Sequence, residues 1–117
     1  MGTWALTANG WSDLDIQGPP DRSDGRADYG EGEIIYFGGN RNSTLMNDTW
    51  LFTAGSWHEL NLPHSPSARV GHVLFYDEKR KSFIMFGGFD SGYLNDTWEL
   101  KLPDYISNIT IPPSAIP

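Results

Sequence analysis

Residues 37–39 read Phe-Gly-Gly, and residues 47–50, a little further along, read Asn-Asp-Thr-Trp. Both motifs occur again in the same order, at residues 86–88 and 95–98. The two glycine pairs are 49 positions apart, and the tryptophans that end the second motif are 48 positions apart. Because two separate motifs recur at nearly one spacing, the chain is predicted to consist of copies of one structural unit.

A partial copy of the unit precedes these two. Trp4 and Trp11 lie 46 positions before Trp50 and Trp57, respectively. The alternating apolar segment that follows Trp57 has a counterpart at residues 106–111, where isoleucines take the apolar positions. The repeat therefore extends along almost the whole chain, with a period of about 48 residues that is typical of stacked supersecondary units.

Composition limits the classes of protein that this chain can belong to. A length of 117 residues with 38% hydrophobic residues suits one domain with a modest core. Its 5 Trp, 5 Tyr and 6 Phe argue against disorder. The formal charge of −7, with only 8 scattered Lys and Arg, argues against nucleic acid and against an anionic membrane surface as partners. Because cysteine is absent, disulfides, thiolate metal sites and cysteine nucleophiles are excluded.

The cellular compartment stays open at this stage. The sequence has no apolar run of the roughly 18 residues that a membrane span needs, and its start lacks the basic and apolar segments of a signal peptide. We expect a cytoplasmic location if the chain is complete, and an extracellular one stays open if it is cut from a longer secreted protein. Four Asn-X-Ser/Thr sequons give little support for secretion, because two belong to the repeat itself; they lie at Asn42, Asn47, Asn95 and Asn108.

The local pattern predicts an all-β fold. Thirteen glycines and eight prolines punctuate short runs rich in Ile, Leu, Phe, Tyr and Trp, which is strand spacing. A charged hairpin tip is expected at residues 77–82 and a tight turn at residues 53–56. Strands are predicted at residues 34–37, 49–52, 57–62, 72–76, 83–86, 97–101 and 106–111, with a more polar strand around residues 26–29.

Four antiparallel strands per unit, with Gly-Gly after the second and Asp-Thr-Trp at the third, resemble the kelch repeat, whose units form the blades of a β-propeller. The resemblance implies one partial propeller domain over residues 1–117, with about 2.5 blades in an incomplete ring. It places a half blade at residues 3–18, blades at 19–63 and 64–112, and a Pro-rich tail at 113–117. A ring left open exposes strand edges and an uncovered blade face, so self-association is expected.

Several repeated residues are expected to support the fold. The glycine pairs should adopt positive φ or lie where a neighbouring side chain leaves no room for a Cβ atom. Trp50, Trp57 and Trp98 should pack between adjacent blades. Asp48 and Asp96 precede the third strand of their units, where a carboxylate can accept hydrogen bonds from nearby backbone N–H groups.

Candidate ligand-binding residues come from the loops. In an up-and-down blade the loops alternate between two ends, so the connections between blades and those after the glycine pairs should share one face. Irregular polar loops on a rigid scaffold are a common place for binding. The candidates on this face are Arg22, Asn40, Arg41, His64, Arg69, Asp90 and Tyr93, with a structural role for Arg69 left open. The basic tip at residues 79–81 is expected at the opposite end.

Residue chemistry and the kelch resemblance favour a binding or scaffold module that recognises a protein or a glycan. The histidines lack metal-ligand spacing and no serine lies in a nucleophile elbow, so we predict no catalytic residues, no metal and no cofactor. The copper site with a Cys-Tyr crosslink of galactose oxidase, a kelch propeller, is ruled out without cysteine. A part of a carbohydrate-acting enzyme similar to a sugar epimerase, and a structural cell-surface segment, remain alternatives.

Overall fold

The computed structural model describes residues 2–102, and these are all-β. Within that range no helix is long and apolar enough to cross a membrane. The strands are β1 (Trp4–Thr7), β2 (Gly10–Asp13), β3 (Arg26–Gly30), β4 (Glu33–Phe37), β5 (Asn40–Arg41), β6 (Thr44–Leu45), β7 (Thr49–Thr53), β8 (Ser56–Leu60), β9 (Val73–Asp77), β10 (Ser82–Phe89) and β11 (Tyr93–Leu100).

The strands form separate antiparallel sheets in chain order. β1 and β2 make an N-terminal hairpin, and β3, β4, β7 and β8 make a four-stranded central sheet in the order β3-β4-β7-β8. A third sheet has the order β11-β10-β9, and β5 pairs with β6 in a short extra hairpin. The repeat in the sequence therefore appears as a repeat of hairpin-linked sheets.

Each sheet has two faces, because successive side chains of a strand point to opposite sides. We call the face of the central sheet that carries Ile35, Phe37 and Leu51 its front face, and the face that carries Trp50 and Trp57 its back face. Positions one repeat apart define the same faces on the other sheets. The front face of the third sheet carries Ile84 and Phe86 with their partners Phe75 and Val73, and its back face carries Leu74, Phe83 and Met85.

The main core lies between the front face of the central sheet and the back face of the third sheet. Ile35, Leu51 and Leu60 from the central sheet form one buried cluster with Phe83 from the third. Burying a large apolar side chain stabilises a fold by about 1.5–3 kcal/mol, so this cluster supplies much of the cohesion between the two sheets.

Tyr76 joins the two sheets near their first strands. Its ring lies directly against Gly30, where an added Cβ would come within 2.2 Å of the ring. Its backbone N–H donates to the Asp28 carboxylate at 2.7 Å, and its hydroxyl donates to Glu31 at 2.6 Å. The polar strand β3 is thus explained: Asp28, a poor strand former, accepts a hydrogen bond from the neighbouring sheet.

Trp57 makes the corresponding contact on the back face of the central sheet. Its indole N–H donates to the Thr3 hydroxyl at 3.0 Å, and its ring packs against Gly18, Tyr36 and Phe52. The N-terminal hairpin is therefore held against the central sheet, and the prediction that Trp57 packs between neighbouring units is confirmed.

The all-β prediction is confirmed for the described residues, with differences in strand length. β10 continues to Phe89 rather than ending at residue 86, and β11 begins at Tyr93 rather than at residue 97 and ends at Leu100. Their pairing continues past a bulge between Phe86 and Gly88. In the central sheet the equivalent loop forms the separate β5–β6 hairpin, with Asn42 and Ser43 at positive φ in its two-residue turn. The strand predicted at 106–111 lies outside the described residues.

The predicted turn at residues 53–56 is present as the β7–β8 hairpin, with Ala54 at φ 52° and Gly55 at φ 80°. Two positive φ values match the twist of the flanking strands. The charged tip between β9 and β10 is also present, where the Asp77 carboxylate accepts hydrogen bonds from the backbone N–H groups of Lys79 and Arg80.

Candidate functional site on the loop face

The connections after the glycine pairs meet the connections that lead into β3 and β9, and together they form what we call the loop face. Backbone hydrogen bonds join Ser23 with Asn40 in both directions, at 2.9 and 2.7 Å. Gly39 donates to the carbonyl of Arg69 at 3.0 Å. Val70 and Phe89 pair in both directions, at 3.1 and 2.8 Å. Because each loop is bonded to the next, these loops form one connected surface.

Arg22 is buried beneath this face. Its side chain is 0% exposed and forms a bidentate ion pair with Asp48, in which Nη2 donates to Oδ2 at 2.8 Å. The same guanidinium donates to the carbonyls of Pro20 and Gly38 at 3.0 and 3.2 Å, and the Trp50 indole N–H donates to Asp48 at 2.7 Å. Arg22 thus ties the segment before β3 to the glycine pair and to the start of β7.

The third sheet repeats this arrangement with Arg69, Asp96 and Trp98. Arg69 is fully buried and pairs with both carboxylate oxygens of Asp96, at 2.7 and 2.8 Å. It also donates to the carbonyls of Ser67 and Gly87, both at 3.0 Å, while the Trp98 indole donates to Asp96 at 2.7 Å. All the nitrogens of the guanidinium are therefore engaged within the protein.

These contacts set the charge states of the two carboxylates. Burial opposes ionisation of Asp48, but hydrogen bonds from Arg22 and Trp50 hold its pKa below the usual range, and the pKa of Arg22 is correspondingly raised by Asp48. Hydrogen bonds from Arg69 and then from Trp98 hold the pKa of Asp96 far below its usual range. Both clusters are thus ionised ion pairs at neutral pH.

The glycine pairs lie at the corners that these arginines hold. Gly38, Gly39, Gly87 and Gly88 all have positive φ, between 69° and 111°. A Cβ on Gly39 would lie 2.8 Å from the carbonyl oxygen of Ser23, so the close approach of the loops also requires glycine. The expected positive φ is therefore confirmed, while the crowding at Gly39 comes from a backbone carbonyl of the same unit. The expected crowding by a side chain of the neighbouring unit is present at Gly38, where a Cβ would lie 2.9 Å from the His72 ring.

His72 is buried just below the loop face, between the two sheets. Its Nε2 lies 2.9 Å from the carbonyl oxygen of Phe37, and its ring packs edge-on against the Phe37 ring. Among residues 2–102, its Nδ1 has no hydrogen-bond partner. Burial lowers the pKa of His72, opposed by the hydrogen bond to Phe37 and assisted by the positive charges of Arg26 and Arg69. His72 is therefore a neutral packing residue, a role that its sequence position did not suggest.

The remaining candidates occupy the outer part of the loop face. His64, Asp90 and Tyr93 are exposed, whereas Asn40 and Arg41 are half-buried in the β5–β6 hairpin. Tyr93 is 94% exposed and packs edge-on against Phe89 at a ring distance of 5.5 Å. The Asp90 carboxylate accepts hydrogen bonds from the backbone N–H groups of Ser91 and Gly92. These bonds shape the turn between β10 and β11.

Apart from Asn40, whose backbone pairs with Ser23, the candidates on the loop face fall into two groups. Arg22 and Arg69 are committed to buried ion pairs, so neither presents a free guanidinium to a ligand. Arg41, His64, Asp90 and Tyr93 keep accessible side chains. Sequence reasoning missed that each arginine pairs with the aspartate of the Asp-Thr-Trp motif; the signal was that both residues recur at the repeat spacing, with opposite charges.

A small apolar cleft opens beside His64, between the central and third sheets. It measures about 60 Å³ and is lined mainly by apolar side chains, among them Leu62, Leu74 and Trp98. Pockets for small-molecule ligands are usually about 300–1,000 Å³, so this cleft is too small for such a ligand. Among residues 2–102, no group of three or more His, Asp or Glu side chains is arranged to hold a metal ion.

Comparison with known proteins adds a kelch-repeat relative. The chain is similar to an F-box/kelch-repeat protein of Arabidopsis thaliana, at 30% identity over 79 residues, which cover 61% of this chain and 16% of the relative. No family model matches the sequence. The chain spans about a sixth of that relative's length, and its all-β structure is compatible with kelch repeats.

Proposed function

We propose that this chain is a kelch-type binding module that recognises a protein partner through its loop face. The proposal includes the division into a half blade at residues 3–18 and blades at 19–63 and 64–112. It is supported by the recurring sheets, by the arginine–aspartate cluster that occurs once in each of two sheets, and by the similarity to a kelch-repeat protein. Kelch-repeat proteins generally bind proteins, which is the basis for choosing that class of partner.

The observation that carries the proposal is the aromatic pair at the end of the β10–β11 hairpin. Tyr93 projects almost completely into solvent, and Phe89 beneath it is 41% exposed. Tyrosine contributes a large, partly apolar contact area with little conformational entropy to lose, and it is enriched among the residues that dominate protein interfaces. An exposed Tyr-Phe pair on a hydrogen-bonded loop suits this role.

The buried ion pairs contribute by keeping the loops rigid. Arg69 holds the Gly87 carbonyl and the Asp96 carboxylate on either side of the β10–β11 loop. A loop that is already ordered loses less conformational entropy on binding, which favours affinity. Arg22 and Arg69 would accordingly act as positioning residues, while Arg41, His64, Asp90 and Tyr93 would contact the partner.

The proposal can be tested with partners selected from a displayed peptide and protein-domain library on the immobilised chain. We expect Tyr93→Ala to weaken binding of the selected partners at least tenfold and Arg41→Ala to weaken it several-fold. Lys79→Glu, in the exposed tip between β9 and β10, is the matched control and should bind as the wild type does. If binding responds to Lys79→Glu and not to Tyr93→Ala, the recognition surface lies at the other end of the sheets.

A further inference from the structure

Equivalent residues on the front faces of two sheets differ sharply in exposure. Phe37 of the central sheet is 3% exposed, because the third sheet and His72 cover it. Phe86, its equivalent 49 positions later, is 49% exposed. Its neighbours on the same face are exposed as well, with Val73 at 53% and Phe75 at 43%. The front face of the third sheet thus presents an apolar surface of the kind that is covered on the central sheet.

The back faces show the converse at the other end of the chain. Trp57 is covered by Thr3 and Gly18 of the N-terminal segment. Trp11, its equivalent 46 positions earlier, is 68% exposed, and its cross-strand partner Leu6 is 66% exposed. Trp4, on the same face, is 56% exposed. The back face of the N-terminal hairpin is therefore a second open apolar surface.

The chain contains its own template for how two such surfaces meet. The front face of the central sheet packs against the back face of the third sheet, and Ile35 and Phe83 share one buried cluster there. The open surfaces are likewise one front face and one back face, at opposite ends of the chain. Single exposed apolar residues are ordinary, but contiguous apolar patches mark interaction surfaces.

From this pairing we infer that the partner for both open surfaces is a second copy of the same chain, joined head to tail. The N-terminal hairpin of one copy, through Leu6 and Trp11, packs on the third sheet of the next, through Val73 and Phe86. The contact uses different surfaces on the two copies, so it is heterologous and adds copies until a ring closes. The inference is independent of what the loop face binds.

Electrostatics gives the assembly a distinctive salt dependence. Each copy carries a formal charge of −7, so like charges oppose association. Salt shortens the range of this repulsion, to about 8 Å at physiological ionic strength, while leaving the apolar contact in place. Association should therefore strengthen when sodium chloride is raised, which is opposite to the behaviour of a contact held by ion pairs.

Sedimentation velocity on the purified chain tests the proposal with two variants that each block one surface. Val73→Glu blocks the front face and Leu6→Glu blocks the back face. We expect the wild type to shift to larger species with increasing concentration and each variant alone to stay monomeric. An equimolar mixture of the two should form a dimer and nothing larger, because only one productive pair of surfaces remains. Tyr93→Glu, at a residue that is more exposed than Val73 or Leu6 but lies on the loop face, should assemble as the wild type does.

Other results would overturn the inference. A wild type that stays monomeric at every concentration would show that these surfaces do not join copies of the chain. Dimers formed by Leu6→Glu alone would show that two front faces meet instead. Near-ultraviolet circular dichroism checks that the variants are folded, and the milder pair Phe75→Gln and Trp11→Gln repeats the experiment if a glutamate variant is not. A mixture of monomeric variants that does not dimerise contradicts the head-to-tail contact.

Discussion

Replacing Asp96 with asparagine tests whether the buried arginine clusters hold the sheets and loops together. The substitution keeps the size of the side chain and removes its charge, leaving the guanidinium of Arg69 buried without a counter-ion. Removing one partner of a buried ion pair costs about 3–5 kcal/mol. The Asp96 side chain is 39% exposed, so water can partly compensate for the loss, and the bonds from Arg69 to Ser67 and Gly87 remain. We therefore expect the free energy of unfolding to fall by about 2–3 kcal/mol, which is at or below the lower end of the range for a fully buried ion pair.

Urea unfolding followed by tryptophan fluorescence measures this loss, with all variants at one low protein concentration so that association does not contribute. Asp90→Asn is the matched control, since that carboxylate is exposed and pairs with backbone N–H groups of its own turn. It should change stability by less than about 0.5 kcal/mol. The double variant with Arg69→Met should be less destabilised than the sum of its parts. A change below 0.5 kcal/mol for Asp96→Asn, or strict additivity in the double variant, would show that the pair contributes little.

Three further substitutions probe the packing between sheets, and Arg41→Ala serves as a surface control. Gly30→Ala should destabilise the fold by about 1–3 kcal/mol, because a methyl group would overlap the Tyr76 ring; thermal unfolding measures it, and an unchanged melting temperature would contradict the close contact. Trp57→Ala should cost about 3–5 kcal/mol as a large-to-small change, whereas Arg41→Ala should cost less than about 0.5 kcal/mol; if Arg41→Ala unfolds the chain, that residue supports the fold. The lowered pKa of His72 means that the unfolded state binds the proton more tightly, so stability should fall below about pH 6.5, by at most about 1.4 kcal/mol per pH unit. His72→Gln should flatten this part of the stability–pH curve, and an unchanged curve would assign the effect to other groups.

Much of the fold was predictable because the repeat makes each unit support the assignment of the next. The Gly-Gly motif, the hairpin turn at residues 53–56 and the strand positions follow from local rules of backbone conformation and alternation. Strand ends were less predictable. The long β10–β11 pairing depends on a bulge next to Gly87, and a bulge depends on hydrogen-bond register rather than on composition.

The loop face was predictable in part. Strand alternation correctly indicated that the loops around Arg22, Asn40 and Arg69 would gather, as their backbone hydrogen bonds show. Whether a polar side chain faces solvent or the interior depends on partners more than 25 positions away, such as Asp48 for Arg22. His72 is the clearest case, because its burial depends on contacts with another sheet.

The arginine clusters also indicate where segments of this chain could be exchanged with another protein by recombination. Arg22, Gly38, Asp48 and Trp50 make their mutual contacts within residues 19–63. A module exchanged at its outer boundaries would carry a complete ion pair with it, whereas a crossover at the glycine pair would bring an arginine from one parent against an aspartate from another. Recombination between units should therefore tolerate joints near Pro19 and Pro63 far better than joints near Gly38.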